Sequence, residues 1–346
     1  MTRAASLSAR LADRLKAIGG GRFGSFWLGL AVTAALSAGY VAWCAALGSL
    51  DALFDPSQPL GLSSKARGQT VTNALIGFLL ATRHLLTQRA PEHWAPVQPL
   101  THLSPDAFGR FVRDEVARAG RRRPALDLLG ALLGLGVVLL STGRVGLVEV
   151  FGSPTLLWAL GANALAFVLM TRAAASSILG RSYASIAGAI REFDLLDPRP
   201  LRCFGQQGLR RAFYWAGGSS IASLLAWDLD RVGPLVTILA LTLGLATYAL
   251  LEPARILRHR VRDAKEAELA GVRPRIRAAR EKLWAGGEAG ELPALLAYEQ
   301  RLMEVSEWPF DAPTLVRFGA LALVATGSWL GGALVERALD GLLGGP

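Results

Sequence analysis

Long apolar stretches alternate with arginine-rich ones along the whole chain. That alternation predicts a polytopic helical membrane protein. The apolar runs fall at residues 25–48, 70–87, 125–143, 153–172, 212–228, 232–252 and 314–336. In lipid each must satisfy its backbone hydrogen bonds internally, so each reads as a helix. The predicted class is all-α: a bundle of about seven spans with cytoplasmic helical extensions. The run 70–87 is the weakest of the seven. Thr70-Val71-Thr72-Asn73 opens it, and Arg83 and His84 lie near its end. The alternative is an interfacial or re-entrant helix, which would leave six spans.

Charge orients the bundle, because Lys and Arg accumulate in cytoplasmic segments. With seven spans and the N-terminus inside, 32 of the 37 Lys and Arg are cytoplasmic and 5 are external. With six spans and the N-terminus outside, the division is 29 to 8. Seven spans fit better, and both arrangements put the C-terminus outside. The first run follows a basic segment (Arg3, Arg10, Arg14, Lys16 and Arg22) and is too long for a signal-peptide core. It is expected to be an uncleaved span.

Three long cytoplasmic segments divide the chain further. Residues 1–252 hold six spans with loops 88–124 and 173–211, residues 253–313 form a cytoplasmic helical hairpin, and 314–346 hold the last span and an outer tail. In the first loop a Pro- and Trp-containing stretch (Pro91, Trp94, Pro96, Pro99) precedes a helix capped at Ser104-Pro105-Asp106. The second loop reads as a helix running to about Asp194, broken by Asp197-Pro198-Arg199-Pro200. In the hairpin Val272, Ile276, Ala279 and Leu283 recur at helical spacing. Gly286, Gly287 and Gly290 turn the chain, and Leu292, Leu295, Leu296, Leu302 and Val305 line a second helix.

Composition supports the membrane reading. Apolar residues make up 52% and charged ones 18%, and mean hydropathy is +0.35. The net charge of +10 comes from 33 Arg and 4 Lys that flank the apolar runs, so a lipid surface rather than nucleic acid is the expected counterpart. Arg121, Arg122 and Arg123 are expected to anchor phosphate headgroups. The Arg-rich, Lys-poor balance points to a GC-rich bacterial genome and hence to an inner membrane. Cys44 and Cys203 fall in different environments, so no disulfide is expected.

Motifs for catalysis, metals and cofactors are absent from the sequence. It has no GxxxxGK[ST] loop, no HExxH, no GxSxG and no Cys/His spacing for zinc. No enzyme, metal or cofactor is expected. Charges are missing from mid-span positions, which argues against a proton-coupled transporter. The polar residues at depth are Asn163, Thr237, Thr242, Thr247, Thr326 and Ser328, with Trp329 beside the last pair. They read as interhelical hydrogen-bonding groups or as pore lining. Gly130 with Gly134, and Gly327 with Gly331, form GxxxG pairs suited to close helix contact. The overall plan, with a cytoplasmic helical block before the last span, is similar to that of the insect chemoreceptor channels, although their last-span tyrosine-and-glutamine signature is missing.

Three functional classes follow. The first is a homo-oligomeric channel-like or sensor protein with the last span near a central path. The second is a scaffold whose hairpin at 253–313 recruits a cytoplasmic partner. The third is a transporter of an apolar or lipid-like substrate, which requires a cavity at depth.

Overall fold

The computed structural model describes residues 24–56, 61–119, 124–141, 154–178, 182–191, 194–197, 199–224, 232–286, 288, 290–306, 316, 319 and 320. Among these residues the chain is all-helical, with one isolated antiparallel bridge between Phe54 and Leu62. Helix α1 is Gly24–Ala46 and α2 is Ser64–Gln88. Short α3, Ala90–Trp94, and α4, Pro105–Ala119, follow. Next come α5, Pro124–Ser141, α6, Pro154–Ile178, and α7, Ser182–Ala189. The chain continues through α8, Arg202–Ser223, α9, Val232–Trp284, and α10, Leu292–Glu304. The last apolar run, 314–336, lies outside the described residues apart from single positions.

Two stretches, Gly24–Ala46 and Thr155–Ser176, are long and apolar enough to cross a membrane, and Pro124–Leu139 is apolar but shorter. Only 17% of each of the two long stretches is buried, so neither is the enclosed core helix of a globular domain. Phe26, Trp27 and Leu30 on α1, and Leu128, Leu129, Leu132 and Leu133 on α5, present large apolar side chains outward. A continuous apolar face of that kind needs a covering phase other than water.

The seven expected runs are therefore not equally apolar as helices. In α2 three polar side chains face inward, while Lys65, Thr70, Arg83, Thr87 and Gln88 are exposed. Gln69, Thr72 and Asn73 are buried. Gln69 Nε2 donates to Asn73 Oδ1 at 2.9 Å, and Asn73 Nδ2 donates to Ser37 Oγ of α1 at 3.2 Å. Low hydropathy in α2 thus reflects in part an interior polar face whose hydrogen bonds are made within the protein. At 25 residues it is about 37 Å long, more than the ~30 Å of a bilayer core.

Small residues set the helix pairs. On α1 and α2, Gly29 and Gly77 cross so closely that a Cβ on Gly77 would lie 2.5 Å from the Gly29 carbonyl oxygen. On α5, Gly130 and Gly134 face the α6 backbone. A Cβ at Gly134 would sit 2.5 Å from the Asn163 carbonyl oxygen, and one at Gly130 would sit 2.8 Å from Val168 Cα. In the third pair, α8 and α9, Gly208 packs on the Leu250 carbonyl. Ser219 and Thr242 share a buried 2.8 Å hydrogen bond between the same two helices.

Parts of the segments 88–124, 173–211 and 253–313 join in one core. Trp94 of α3 packs edge-on against Phe204 of α8 (4.8 Å) and Tyr183 of α7 (5.6 Å). Phe108 and Val112 of α4, Ile186 and Ile190 by α7, and Leu257 and Val261 of α9 complete the cluster. Helix α7 stops at Ala189 rather than near Asp194. Arg260 of α9 donates to the Ala187 and Ile190 carbonyls at its C-terminal end, and Arg191 N donates to Leu100 O at 3.2 Å. A cation on terminal carbonyls stabilises a helix end, and these tertiary bonds replace the next helical turn.

Helix α9 runs unbroken from the 232–252 stretch into the hairpin, 53 residues and about 80 Å. The chain turns back at Gly286 and Gly290, both with positive φ. Leu269 and Val272 then pack on Leu295 and Leu302 of α10, with Ile276, Ala279 and Tyr298 at the margin. Leu283 and Leu296 of the expected stripe remain exposed. Lys265 Nζ donates to the Met303 and Val305 carbonyls at the C-terminal end of α10.

The glycine contacts give a direct test. Replacing Gly134 by Leu should cost on the order of 1–3 kcal/mol through overpacking of α5 on α6. The Gly136→Leu variant, where a Cβ meets nothing within 4 Å, should unfold near the parent temperature. Thermal unfolding of the two variants in detergent checks the contrast.

Candidate functional site: a cavity between helix pairs

A cavity of about 190 Å³ lies where the α1–α2, α5–α6 and α8–α9 pairs meet. That is larger than the ~150 Å³ apolar void that accommodates benzene in an engineered core. Its walls are Leu75, Phe78 and Leu79 of α2, Leu169 and Met170 of α6, and Trp215, Gly218 and Ala222 of α8, among others. Thr242 of α9 closes one side.

Chain direction gives the cavity a gradient. Along α2 the lining passes from Leu75 and Leu79 to Thr82, Arg83 and Thr87. Along α6 it passes from Leu169 to Arg172 and Ser176, and α8, running the other way, passes from Ala222 back to Tyr214 and Arg211. One end is mostly hydrocarbon, interrupted by the mutually bonded hydroxyls of Ser219 and Thr242, and the other carries three guanidinium groups with the hydroxyls of Thr82, Thr87, Ser176 and Tyr214. The charged end is the one adjoining the Trp94 core, since Arg211 stacks over the Tyr183 ring at 4.3 Å.

Two of the three arginines are held. Arg172 Nε and Nη2 both donate to Asp127 at 2.6 Å, a bidentate pair tying α6 to the first turn of α5. Thr171 Oγ1 adds a 3.3 Å bond to the Leu126 carbonyl beside it. Arg211 Nη1 stands 3.7 Å from Glu252 Oε2 on α9, beyond hydrogen-bond length, and neither atom has a hydrogen-bond partner although both are buried. Arg83 is exposed at the opening, and among the described residues it has no acidic partner.

Burial tunes the groups of the adjoining core. The Tyr183 phenol is pushed up to about 12 by burial, although Arg211 pulls it the other way. Burial also pushes the Cys203 thiol up to about 12, which keeps it protonated. Cys44 and Cys203 are both free and buried. Burial, aided by the cations Arg210 and Arg89, lowers the His93 imidazole to about 4.

The residues singled out from sequence are spread differently. Among those that are described, Thr242 alone lines the cavity, and its hydroxyl is bonded to Ser219. Asn163 donates to the Ala159 carbonyl within its own helix at 2.9 Å, and Thr247 is partly buried on α9 away from the cavity. Thr237 falls in α9 with its side chain outside the described set. Thr326, Ser328, Trp329, Gly327, Gly331 and Arg121, Arg122 and Arg123 lie outside the described residues. Trp158 packs among Gly39, Tyr40 and Trp43 of α1. Sequence reasoning weighed Arg83 only as a borderline intramembrane charge and passed over Arg172 and Arg211. The signal available was their shared position at the inner ends of three runs. Among the described residues no group of three His, Cys, Asp or Glu could hold a metal ion.

Comparison with known proteins adds no relative: no family model, curated protein or solved structure matches this chain.

Two outcomes follow. Asp127→Asn should remove a charge-assisted bidentate bond and destabilise the α5–α6 pair by on the order of 2 kcal/mol, read from thermal unfolding in detergent. For His93 the folded form stays neutral down to about pH 4, whereas the unfolded chain takes up a proton near 6.5. Stability contributed by neutral His93 is therefore present above pH 6.5 and lost as pH falls from about 6.5 to 4. A His93→Gln variant should lose less stability across that window, measured by unfolding at a series of pH values.

Proposed function

We propose that this protein is a multi-pass inner-membrane protein that takes a lipid-like amphiphile into the cavity between its helix pairs, as a carrier or sensor of that molecule. The observation that carries the reading is the cavity's gradient from hydrocarbon wall to cationic mouth, which matches the two ends of an amphiphile. The outward apolar faces of α1 and α5 support immersion in lipid, and the length and inward polar face of α2 support its crossing. On the seven-span plan the N-terminus and the Trp94 core are cytoplasmic, so the charged mouth opens at the inner headgroup level, where an amphiphile in the inner leaflet presents its polar end. The channel-like reading with a homo-oligomeric central path depends on the last span, and the partner-recruiting reading depends on the hairpin. Neither draws support from the cavity. No enzyme chemistry is invoked.

Tryptophan fluorescence tests the reading, because Trp215 lines the cavity. A fatty-acyl chain carrying two bromines should quench the full-length protein in neutral detergent, and the quenching should shrink in a Trp215→Phe variant. Gly218→Leu fills the space without a backbone clash, since its Cβ would first meet Phe78 at an ordinary 3.6 Å. That variant should bind the brominated chain about tenfold more weakly while keeping its helicity. Unchanged quenching in both variants would remove the cavity from consideration.

A further inference from the structure

The charge at the cavity mouth is one-sided. Arg83, Arg172 and Arg211 line the cavity, and no carboxylate does. Asp127 balances Arg172 through its two hydrogen bonds, and Glu252 balances Arg211 at a distance too long for one. The cation left over is Arg83, which among the described residues has no acidic partner and is exposed at the opening. Arg211 Nη1 faces Glu252 and is buried, so this residue contributes charge to the mouth rather than a donor to a ligand. The guanidinium fork matches carboxylate and phosphate oxygens, and desolvation beside an apolar wall strengthens such a pair.

We infer that the cavity selects amphiphiles with an anionic headgroup, phosphate or carboxylate, held at Arg83, with the neighbouring Arg211 and Arg172 adding positive potential to the same mouth. The inference rests on the amphiphile reading above and specifies its headgroup. Arg172, locked to Asp127, acts as part of the wall that sets the potential. Arg83 is the group free to move onto the ligand. A zwitterionic headgroup brings its own cation to the same mouth and gains less.

The test is competition against the brominated chain on full-length protein in neutral detergent. The probes are oleate, lysophosphatidylglycerol, lysophosphatidylcholine of the same chain length, and inorganic phosphate. Oleate and lysophosphatidylglycerol should each displace the probe at about tenfold lower concentration than lysophosphatidylcholine. Arg83→Gln should abolish that preference by weakening oleate and lysophosphatidylglycerol far more than lysophosphatidylcholine, and Arg83→Lys should restore most of it. Inorganic phosphate should not compete. If it competes as well as the anionic amphiphiles, the site is one for free anions and the inference is overturned. Equal displacement by the two lysophospholipids, or an anionic preference that survives Arg83→Gln, also overturns it while leaving amphiphile binding intact. If no chain-bearing probe binds, the underlying reading fails together with it. Because Arg83 is exposed, both variants should fold, and an unfolding temperature equal to the parent's makes any change in preference a change in recognition.

Discussion

Trp94 is the point through which the segments that link the helix pairs are held together. Its ring meets Phe204 and Tyr183 edge-on, in the geometry that aromatic quadrupoles favour. Both lie in the segment 173–211, Tyr183 on α7 after the α5–α6 pair and Phe204 on α8 at the start of the α8–α9 pair, while Trp94 itself follows α2. Burying one indole therefore fixes α3, α7 and α8 relative to one another. Arg260 of α9 then reaches the end of α7 and adds a second tie from the α8–α9 pair. Arg211 stacks on Tyr183 at the edge of this core and also lines the cavity. The floor of the cavity is thus set by aromatic packing outside the membrane reading's apolar layer.

Close helix contacts complete the arrangement from the other side. Gly29 with Gly77, Gly130 with Gly134, and Gly208 let three pairs of backbones approach within side-chain distance. Pairing at such short range leaves space elsewhere: the three tight pairs do not interdigitate fully where they meet, and the cavity occupies that junction. A dense bundle with large residues at the pair interfaces would have distributed the same volume differently. Ser219 and Thr242 satisfy each other on its wall, so that side presents little unmet polarity to an apolar chain.

The local elements were largely legible in the sequence, and the assembly was not. Helix α1 falls at Gly24–Ala46 against an expected 25–48, and α4 begins after Ser104, whose Oγ accepts from Ala107 N at 3.4 Å. The hairpin turns at Gly286 and Gly290, where positive φ favours glycine. These features depend on a few adjacent residues. Trp94 looked like part of a Pro-rich connector because its partners lie about ninety or more positions away. The inward placement of Gln69, Thr72 and Asn73 on α2 was also hidden, because their hydrogen bonds depend on packing within the protein. The cavity was the least legible feature, since Arg83, Arg172 and Arg211 belong to three separate runs and each alone resembles an ordinary flanking charge.

The 53-residue α9 also carries Pro253, which is buried at the level where the helix enters the Trp94 core. A proline there removes the ladder bond to the Ala249 carbonyl. Immediately beyond it, Leu257 and Val261 are clamped in the Trp94 cluster. Further along, Pro274 interrupts the ladder a second time, at the Ala270 carbonyl. The turns seated in the core are thus bracketed by two interruptions of the kind at which long helices kink, so the two arms of α9 are not held to one straight axis.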